Sequence, residues 1–400
     1  MILTGSALLD RFQALDAFLL AHQPLWRPRP FTCRYLPWEA EHPELAHWLR
    51  QRSLEEAEAS HNQPHLLHAP EPFPQLADHA RSLSELGELQ AGARARLSDR
   101  ASRDVPGRKQ QQIEAFAQRL QFHQPTAHWV DWCAGKGHLG HLLAHSGSQV
   151  TCLEHDPQLV EAGQQLATRQ GLHARHIQQD VLAADAAGHI RAEHSPVALH
   201  ACGDLHVRLL QLASTAGCRQ LAVAPCCYNR IAAEDYQPLS HAAQGSSLHL
   251  SRDDLGLPLS ETVTAGARVR RQRNLSMARR LSFDLLQRRL RGVDDYLNTP
   301  SLPAAWLDKS CADYCCDLAA LKGLPDPGAQ DWDALQNAGW QRLAEVRNLE
   351  LLRGLFRRPL ELWLALDRAL YLQEYGFQVS LGIFCPSELT PRNLLLLAER

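Results

Sequence analysis

Lysine is nearly missing from this 400-residue chain: of 41 basic residues only Lys109, Lys136, Lys309 and Lys322 are lysines, which leaves 37 arginines. Codon bias in a GC-rich genome produces such a skew without selection for arginine. No apolar run approaches the ~20 residues that cross a bilayer. The start M-I-L-T-G-S-A-L-L-D-R lacks the basic flank and long apolar core of an export signal. A soluble, cytoplasmic protein without membrane attachment is expected. No C-x-x-C pair occurs among the 11 cysteines, and an odd count without the spacing of a small disulfide domain argues against a disulfide framework. They read as reduced, buried thiols, and no metal is expected. An excess of basic charge is absent too. The net charge of −3 excludes a generic polyanion binder, and the first hundred residues hold thirteen acids against ten arginines.

What the chain has is a glycine-rich bend from Trp129 to Gly140, W-V-D-W-C-A-G-K-G-H-L-G. An apolar run ends in Asp131, breaks at Gly135 and Gly137, and regains helical spacing in H-L-G-H-L-L-A-H. That order is a strand, a tight turn and a helix start, which aims backbone N–H groups at a small ligand. Gly135, Gly137 and Gly140 also satisfy the dinucleotide pattern G-x-G-x-x-G, a weak signal by itself. Asp131 weighs against a dinucleotide, because a carboxylate ahead of the loop repels a pyrophosphate and welcomes a cation. S-adenosylmethionine, with its ammonium and sulfonium, suits the turn better. The stretch resembles motif I of class I methyltransferases, (D/E)-x-G-x-G-x-G, with Cys133 in the first glycine position.

Ser148 to Glu154 reads as a second strand that ends in an acid seventeen residues beyond Gly137, placed to accept both ribose hydroxyls, with His155 beside it. A helix over 157–170, closed by Gly171, leads to a third strand at Ala174 to Ile177, after which Asp180 is placed to accept from an adenine amino group. The candidate cofactor residues are therefore Asp131, Cys133, Gly135, Gly137, Glu154, His155 and Asp180, with His200 and Cys202 bordering the same ligand.

Strand and helix signals alternate through Pro196 to Leu199 and Leu221 to Ala224. Near the end come an amphipathic helix, Leu360 to Tyr375, a strand, Phe377 to Phe384, the loop C-P-S-E-L-T-P-R-N and a last strand, Leu394 to Leu397. Two strands joined so closely cannot be parallel neighbours. The expected fold class is α/β, a Rossmann-like sheet in the order 3-2-1-4-5-7-6, whose terminal hairpin is characteristic of class I methyltransferases rather than of NAD dehydrogenases. Around it, residues 1–105 read as a helical accessory domain, with helices at Leu8 to Phe18 and across Glu44 to Glu58 and a loop from His61 to Pro74. Residues 106–230 read as the cofactor-binding core, which begins with a helix at Gln110 to Leu120. A helical insertion for substrate recognition follows at 231–358, and 359–400 complete the core.

His200-Ala201-Cys202-Gly203 and Pro225-Cys226-Cys227-Tyr228 are the most specific pair of segments. With the acid-first glycine turn and Thr390-Pro391-Arg392-Asn393, they resemble a methyltransferase family that includes the methyltransferase-like 25 proteins and the glutathione S-transferase C-terminal-domain-containing protein. Its members show D-x-C-(S/A)-G-(K/G)-G-H-x-(G/S), H-(A/T)-C-G, C-C-Y and P-(R/K)-N. More distantly the chain resembles tRNA 2′-O-methyltransferases that carry H-L-C-G and C-C-H-H. The resemblance covers roughly 125 to 230 and 360 to 400. It implies methyl transfer and leaves the substrate open.

His200, Cys226 and Tyr228 are the candidate catalytic residues. An imidazole with a pKa near 6.5 takes a proton from a hydroxyl or ring nitrogen near neutral pH. Cys226 or Cys227 could add to C6 of a pyrimidine, could bind metal with Cys202, which the absence of C-x-x-C disfavours, or could pack to shape the acceptor pocket, the favoured reading. Tyr228 could stack on a base or orient a hydroxyl. His138, His141 and His145 share a helix face, but no matching ligand cluster accompanies them. Nine arginines lie between Arg268 and Arg291 with Asp284 as the one acid. Such a run is usually a solvated helix face, yet it could grip phosphates. Lys109 could do so too, or could simply begin a solvated helix. Lys109, Arg268, Arg270, Arg271 and Arg273 are the candidate substrate residues, and structured RNA is the expected partner. A protein acceptor is the alternative, and the rival classes are an NAD-binding oxidoreductase and an inactive S-adenosylmethionine-binding scaffold.

Overall fold

Runs of alanine, valine and leucine, buried on both faces, build a mostly parallel sheet. The computed structural model describes residues 1–92, 106–260 and 266–400. Its strands are β1 (Leu3–Thr4), β2 (His128–Trp132), β3 (Gln149–Glu154), β4 (Ala174–Gln178), β5 (His194–Cys202), β6 (Gln220–Cys226), β7 (Gln378–Ile383) and β8 (Leu394–Glu399). They lie in the order β1-β7-β8-β6-β5-β2-β3-β4. The contacts among β2 to β6 are parallel, whereas β8 against β6, β7 against β8 and β1 against β7 are antiparallel. Without β1 this is the expected 3-2-1-4-5-7-6.

Helices Gly107–Gln118, His138–Ala144, Pro157–Gln170 and Asp204–Ala216 flank the parallel part. The third falls where the sequence puts it because both ends are signalled. Asp156 accepts from the Gln158 amide at 2.8 Å, Pro157 opens the first turn, and Gly171, at φ 66°, closes the last. The long closing helix, Arg357–Glu374, carries Asp367, fully buried. Its carboxylate accepts from the amides of Leu239 and Ser240 and from the hydroxyls of Ser240 and Tyr236, which fixes residues 236–240 against the helix. None of the helices among the described residues is long and apolar enough to cross a membrane.

The chain divides into two units, which differ from the partition expected from sequence. Met1–Ala21, Leu83–Leu259 and Arg358–Arg400 form one; His22–Ser82 and Ser260–Arg357 form the other. The first residues belong to the sheet unit because β1 pairs with the edge strand β7 and because helix Ser6–Ala21 buries Leu8, Phe12, Leu15 and Phe18. Phe12 stacks 5.1 Å from Trp363, whose indole N–H donates to Asp16 at 2.9 Å. Residues 231–259 stay with the sheet as well. Residues 22–82 instead join the inserted helices, whose arginines take their carbonyls: Arg342 donates to Pro30 O at 2.6 Å and to Cys33 O at 2.5 Å, and Arg353 to Trp26 O at 2.6 Å. The expected helix over Glu44 to Glu58 is two, Pro43–Gln51 and Leu54–Ser60. Ser53 and Glu56 form a reciprocal capping box that starts the second. The boundary expected near residue 105 lies outside the described residues.

Candidate active site

β2 marks the point where the chain, after laying β3 and β4 on one side, crosses to β5 on the other. At such a switch point the carboxyl ends of the two central strands diverge into a crevice. Among the described residues, the non-glycine positions with positive φ are Cys133 (59°), His200 (63°) and Cys227 (42°). Cys133 follows β2, His200 lies near the end of β5, and Cys227 follows β6. Left-handed backbone costs a side chain roughly 1–2 kcal/mol. Three such residues on one sheet edge locate stored strain where function is expected.

Cys133 takes the backbone conformation that glycine supplies at this place of the motif. Gly137, at φ 73°, begins the helix, and a Cβ on it would lie 2.3 Å from the His176 ring; one on Gly140 would lie 2.5 Å from Cys152 Sγ. Packing under the turn therefore requires both glycines. Above the turn, a Cβ on Gly135 would meet nothing within 4 Å. Asp131 is 3% exposed, and its Oδ2 accepts from the Gly140 amide at 2.9 Å. Burial pushes its carboxyl up to about 7.

Glu154 Oε2 accepts from Gly135 N at 2.8 Å, and Oε1 accepts from the amides of His155 and Asp156 at 2.9 and 3.0 Å. Three of a carboxylate's roughly four lone-pair sites are thus occupied, which leaves room for one ribose hydroxyl rather than the expected two. His155 and Asp180 are exposed at the ends of β3 and β4, and Asp180 Oδ1 accepts from Leu182 N at 3.0 Å. Burial, with Glu154, Asp131 and Asp180 nearby, pushes the Cys133 thiol up to about 12. Three carboxylates around one bend suit a ligand that combines a cation with hydroxyls and oppose a pyrophosphate.

β5 and β6 pair at Leu199↔Ala224 and resume at Ala201↔Pro225 and Cys202↔Cys226. His200 is the extra residue of a bulge. Pro225, which has no N–H for a central ladder, sits at the break. Gln112 donates through Nε2 to Leu389 O at 3.0 Å and so presents Oε1 to His200 Nε2 at 3.2 Å. The imidazole proton accordingly sits on Nε2, and Nδ1 carries the lone pair. Burial lowers His200 to about 4; the cations of Arg392 and Lys109 act in the same direction and Cys227 opposes them. The expected pKa near 6.5 is corrected: His200 is neutral at pH 7 and suited to accept and orient a hydroxyl proton rather than to act as a strong base.

Gly203 completes the segment. A Cβ there would lie 1.9 Å from Arg230 O, to which Asp204 N donates at 3.1 Å. Below it, Arg368 Nε donates to His206 Nε2 at 2.6 Å, and His206 Nδ1 donates to Ala201 O at 3.0 Å. The Asp204–Arg230 contact clamps the loop after β6 against the end of β5.

Two expected catalytic side chains are relocated. Cys226 is 4% exposed, its thiol donates to Ala201 O at 3.5 Å, and hydrogen bonds with Cys202 and Cys227, together with burial, hold it far above the ordinary thiol range. Cys227 is the thiol driven toward thiolate, by its side-chain contacts with Cys202 and Cys226 and by the nearby Arg392 and Arg230. A covalent role, if expected of this pair, belongs to Cys227. Tyr228 is fully buried, its ring 5.9 Å from His206 and beneath the Arg368 guanidinium at 4.9 Å. It braces the loop and cannot stack on a base or orient an acceptor. The absence of metal was expected from spacing alone, but β5 and β6 bring the sulfurs of Cys202, Cys226 and Cys227 within 4.8 Å of one another.

Lys109 is exposed on helix Gly107–Gln118. In the other unit, the arginine run occupies helix Ala267–Arg291 and is partly structural. Arg279 donates to Ser310 O at 2.9 Å, and Arg288 pairs with Asp284 at 2.9 Å and Asp294 at 2.8 Å. In the first turns of the helix Arg268, Arg270 and Arg271 are exposed and Arg273 is half-buried, and at its far end Arg289 and Arg291 are exposed as well. His141 pairs with His176 at 2.9 Å beneath the glycine turn. Sequence reasoning missed Gln112, Arg230 and the role of Arg392. Only Arg392 carried a signal, through the T-P-R-N segment.

Residues 108–234 match a family described as a methyltransferase domain. No curated protein matches the chain. Among solved structures it is similar to coclaurine N-methyltransferase bound to N-methylheliamine and SAH, at 14% identity over 86% of this chain and 94% of that one, with a TM-score of 0.27. The 23S rRNA methyltransferase ErmE matches at 14% identity over 59% and 96%, TM-score 0.25. Geranyl diphosphate methyltransferase, in complex with GPP and sinefungin, matches at 18% over 42% and 65%, TM-score 0.25. Other matches span about half of their counterparts, 43% in one and 52% in another. Residues 108–234 thus match a methyltransferase domain by sequence, and the sheet they build has the strand order expected of that fold.

Proposed function

We propose that the whole chain is a methyltransferase that acts on a structured RNA, ribosomal or transfer. The observation that carries this reading is the cationic setting of His200: Lys109 and Arg392 act on its ring, and Arg392 and Arg230 act on the adjacent Cys227. A neutral imidazole among three cations fits a hydroxyl or ring nitrogen flanked by phosphates. The exposed Arg268, Arg270 and Arg271 offer further phosphate contacts, and the H-A-C-G, C-C-Y and P-R-N segments support kinship with the methyltransferase-like 25 proteins.

In this reading Asp131, Cys133, Gly135, Gly137, Glu154, His155 and Asp180 hold the cofactor, which supplies an electrophilic methyl group on sulfonium. His200, fixed by Gln112, orients the acceptor through Nδ1. Cys202 and Cys227 shape the wall beside it. Mass spectrometry of nucleosides from ribosomal and transfer RNA of a strain lacking the gene tests the substrate, with ribosomal proteins measured in parallel. Loss of one RNA methylation is expected. Persistence of every RNA mark with loss of a protein methylation assigns a protein acceptor instead. Arg270→Glu with Arg271→Glu should weaken RNA binding and lower the salt slope by roughly one per lost contact.

A further inference from the structure

We propose that Cys202, Cys226 and Cys227 form a binding site for one thiophilic divalent cation, with zinc the best match. Three sulfurs converge from the ends of two adjacent parallel strands. Cys202 and Cys226 are register partners with Sγ atoms 3.4 Å apart, and Cys227 Sγ lies within 4.8 Å of both. A Zn–S bond of about 2.3 Å requires sulfurs about 3.8 Å apart in a tetrahedral site. The 3.4 Å pair lies just below that value and the 4.8 Å limit about an ångström above it, so closure on an ion needs shifts of an ångström or less. Consecutive residues of an extended strand point to opposite faces. Cys227 reaches the same side as Cys226 only because its backbone turns to φ 42°, and the resulting convergence of three thiols is what the strained conformation achieves.

Charge and chemistry agree. Three thiolates around a divalent ion carry a net charge of about −1, which the guanidiniums of Arg230 and Arg392 offset. Both already act on Cys227, and Arg392 Nη1 is a buried donor without a hydrogen-bond partner among the described residues. Thiolate ligands select zinc or other soft ions over magnesium or calcium. The ligand set is invisible as a spacing motif because it combines a residue of one strand with a vicinal pair from the next. Three protein ligands leave one coordination position for water or an acceptor atom. Binding releases the thiol protons to solvent.

The test uses the full chain purified under reducing conditions without chelators. Elemental mass spectrometry should find about one zinc per chain, X-ray absorption should give sulfur neighbours at about 2.3 Å, and cobalt substitution should produce thiolate-to-cobalt charge-transfer absorption. Cys202→Ser and Cys227→Ser should each weaken zinc in competition with a chromogenic chelator by more than roughly 100-fold, beyond the loss typical of outer-shell changes. Cys316→Ser, in the other unit, should bind as the parent does. Wild-type protein that neither retains zinc nor binds added zinc or cobalt overturns the proposal, as does a bound ion without sulfur ligands. A Cys202–Cys226 disulfide that persists under reducing conditions also overturns it. The spectroscopic arms need no variant, so misfolding of a serine mutant does not shelter the proposal.

Discussion

Alanine at Gly203 isolates the close approach that holds the loop after β6 against β5. Gly203 has φ 49° and ψ −122°, a region open in practice only to glycine. A Cβ would lie 1.9, 2.4 and 2.9 Å from the O, C and Cα of Arg230, all backbone atoms that no rotamer change can move aside. The backbone conformation costs about 1–3 kcal/mol, and displacing the loop adds about 1–3 kcal/mol. A loss near 4 kcal/mol is expected. Gly171 supplies the control, because it has φ 66° at a helix end and a Cβ there would meet nothing within 4 Å. Gly171→Ala should therefore lose only the backbone part, about 1 kcal/mol. Urea unfolding of both variants gives the two numbers. Methyl transfer should fall further than S-adenosylhomocysteine affinity in Gly203→Ala, since the displaced loop carries Cys227 and Arg230 while the glycine turn stays in place. Equal destabilisation by the two substitutions, or a Gly203→Ala loss under 1 kcal/mol, refutes the reasoning.

Asp131→Asn should change stability and affinity in opposite directions. Burial raises the folded carboxyl to about 7, so its contribution is largest at low pH and is lost as pH rises through that value. At pH 8 the variant's urea midpoint should therefore rise while its affinity for S-adenosylhomocysteine falls; a fall in both would contradict the assignment. The His141–His176 pair has the opposite pH dependence: burial lowers the two rings to about 3 and about 4. Stability from their neutral forms is present above about 6.5 and is lost as pH falls through the folded values. His176→Gln should flatten the decline of the urea midpoint between pH 6.5 and 4, and an unchanged slope would show that the pair does not titrate as described.

The sheet was legible because each strand ends in a chemical signal: Asp131 before glycines, Glu154 before Asp-Pro, His200 before Gly203. The helix over residues 157–170 was legible to the residue for the same reason, with a cap at either end. β1 was not, because two residues on an edge leave no periodicity and their pairing depends on β7, far away in sequence. The two-unit partition escaped because Arg342 and Arg353 take carbonyls of Trp26, Pro30 and Cys33, and carbonyls leave no trace in sequence. At the site, residue types were readable and depth was not. Tyr228 and Cys226 lie in a polar-looking segment, yet β6 carries Cys226 inward and the Arg368–His206 bridge closes over Tyr228. His200 was found, but the bulge that turns it and the Gln112 contact that fixes its proton arise only when Pro225 meets β5.

Calorimetry of the full chain with S-adenosylhomocysteine and with NAD, repeated on Glu154→Ala, tests the central claim most directly. S-adenosylhomocysteine should bind at one site per chain, NAD should not bind, and Glu154→Ala should weaken the first by about tenfold or more, the value of one hydrogen bond to a charged acceptor. Binding of NAD alone, or S-adenosylhomocysteine affinity unchanged by Glu154→Ala, would contradict it.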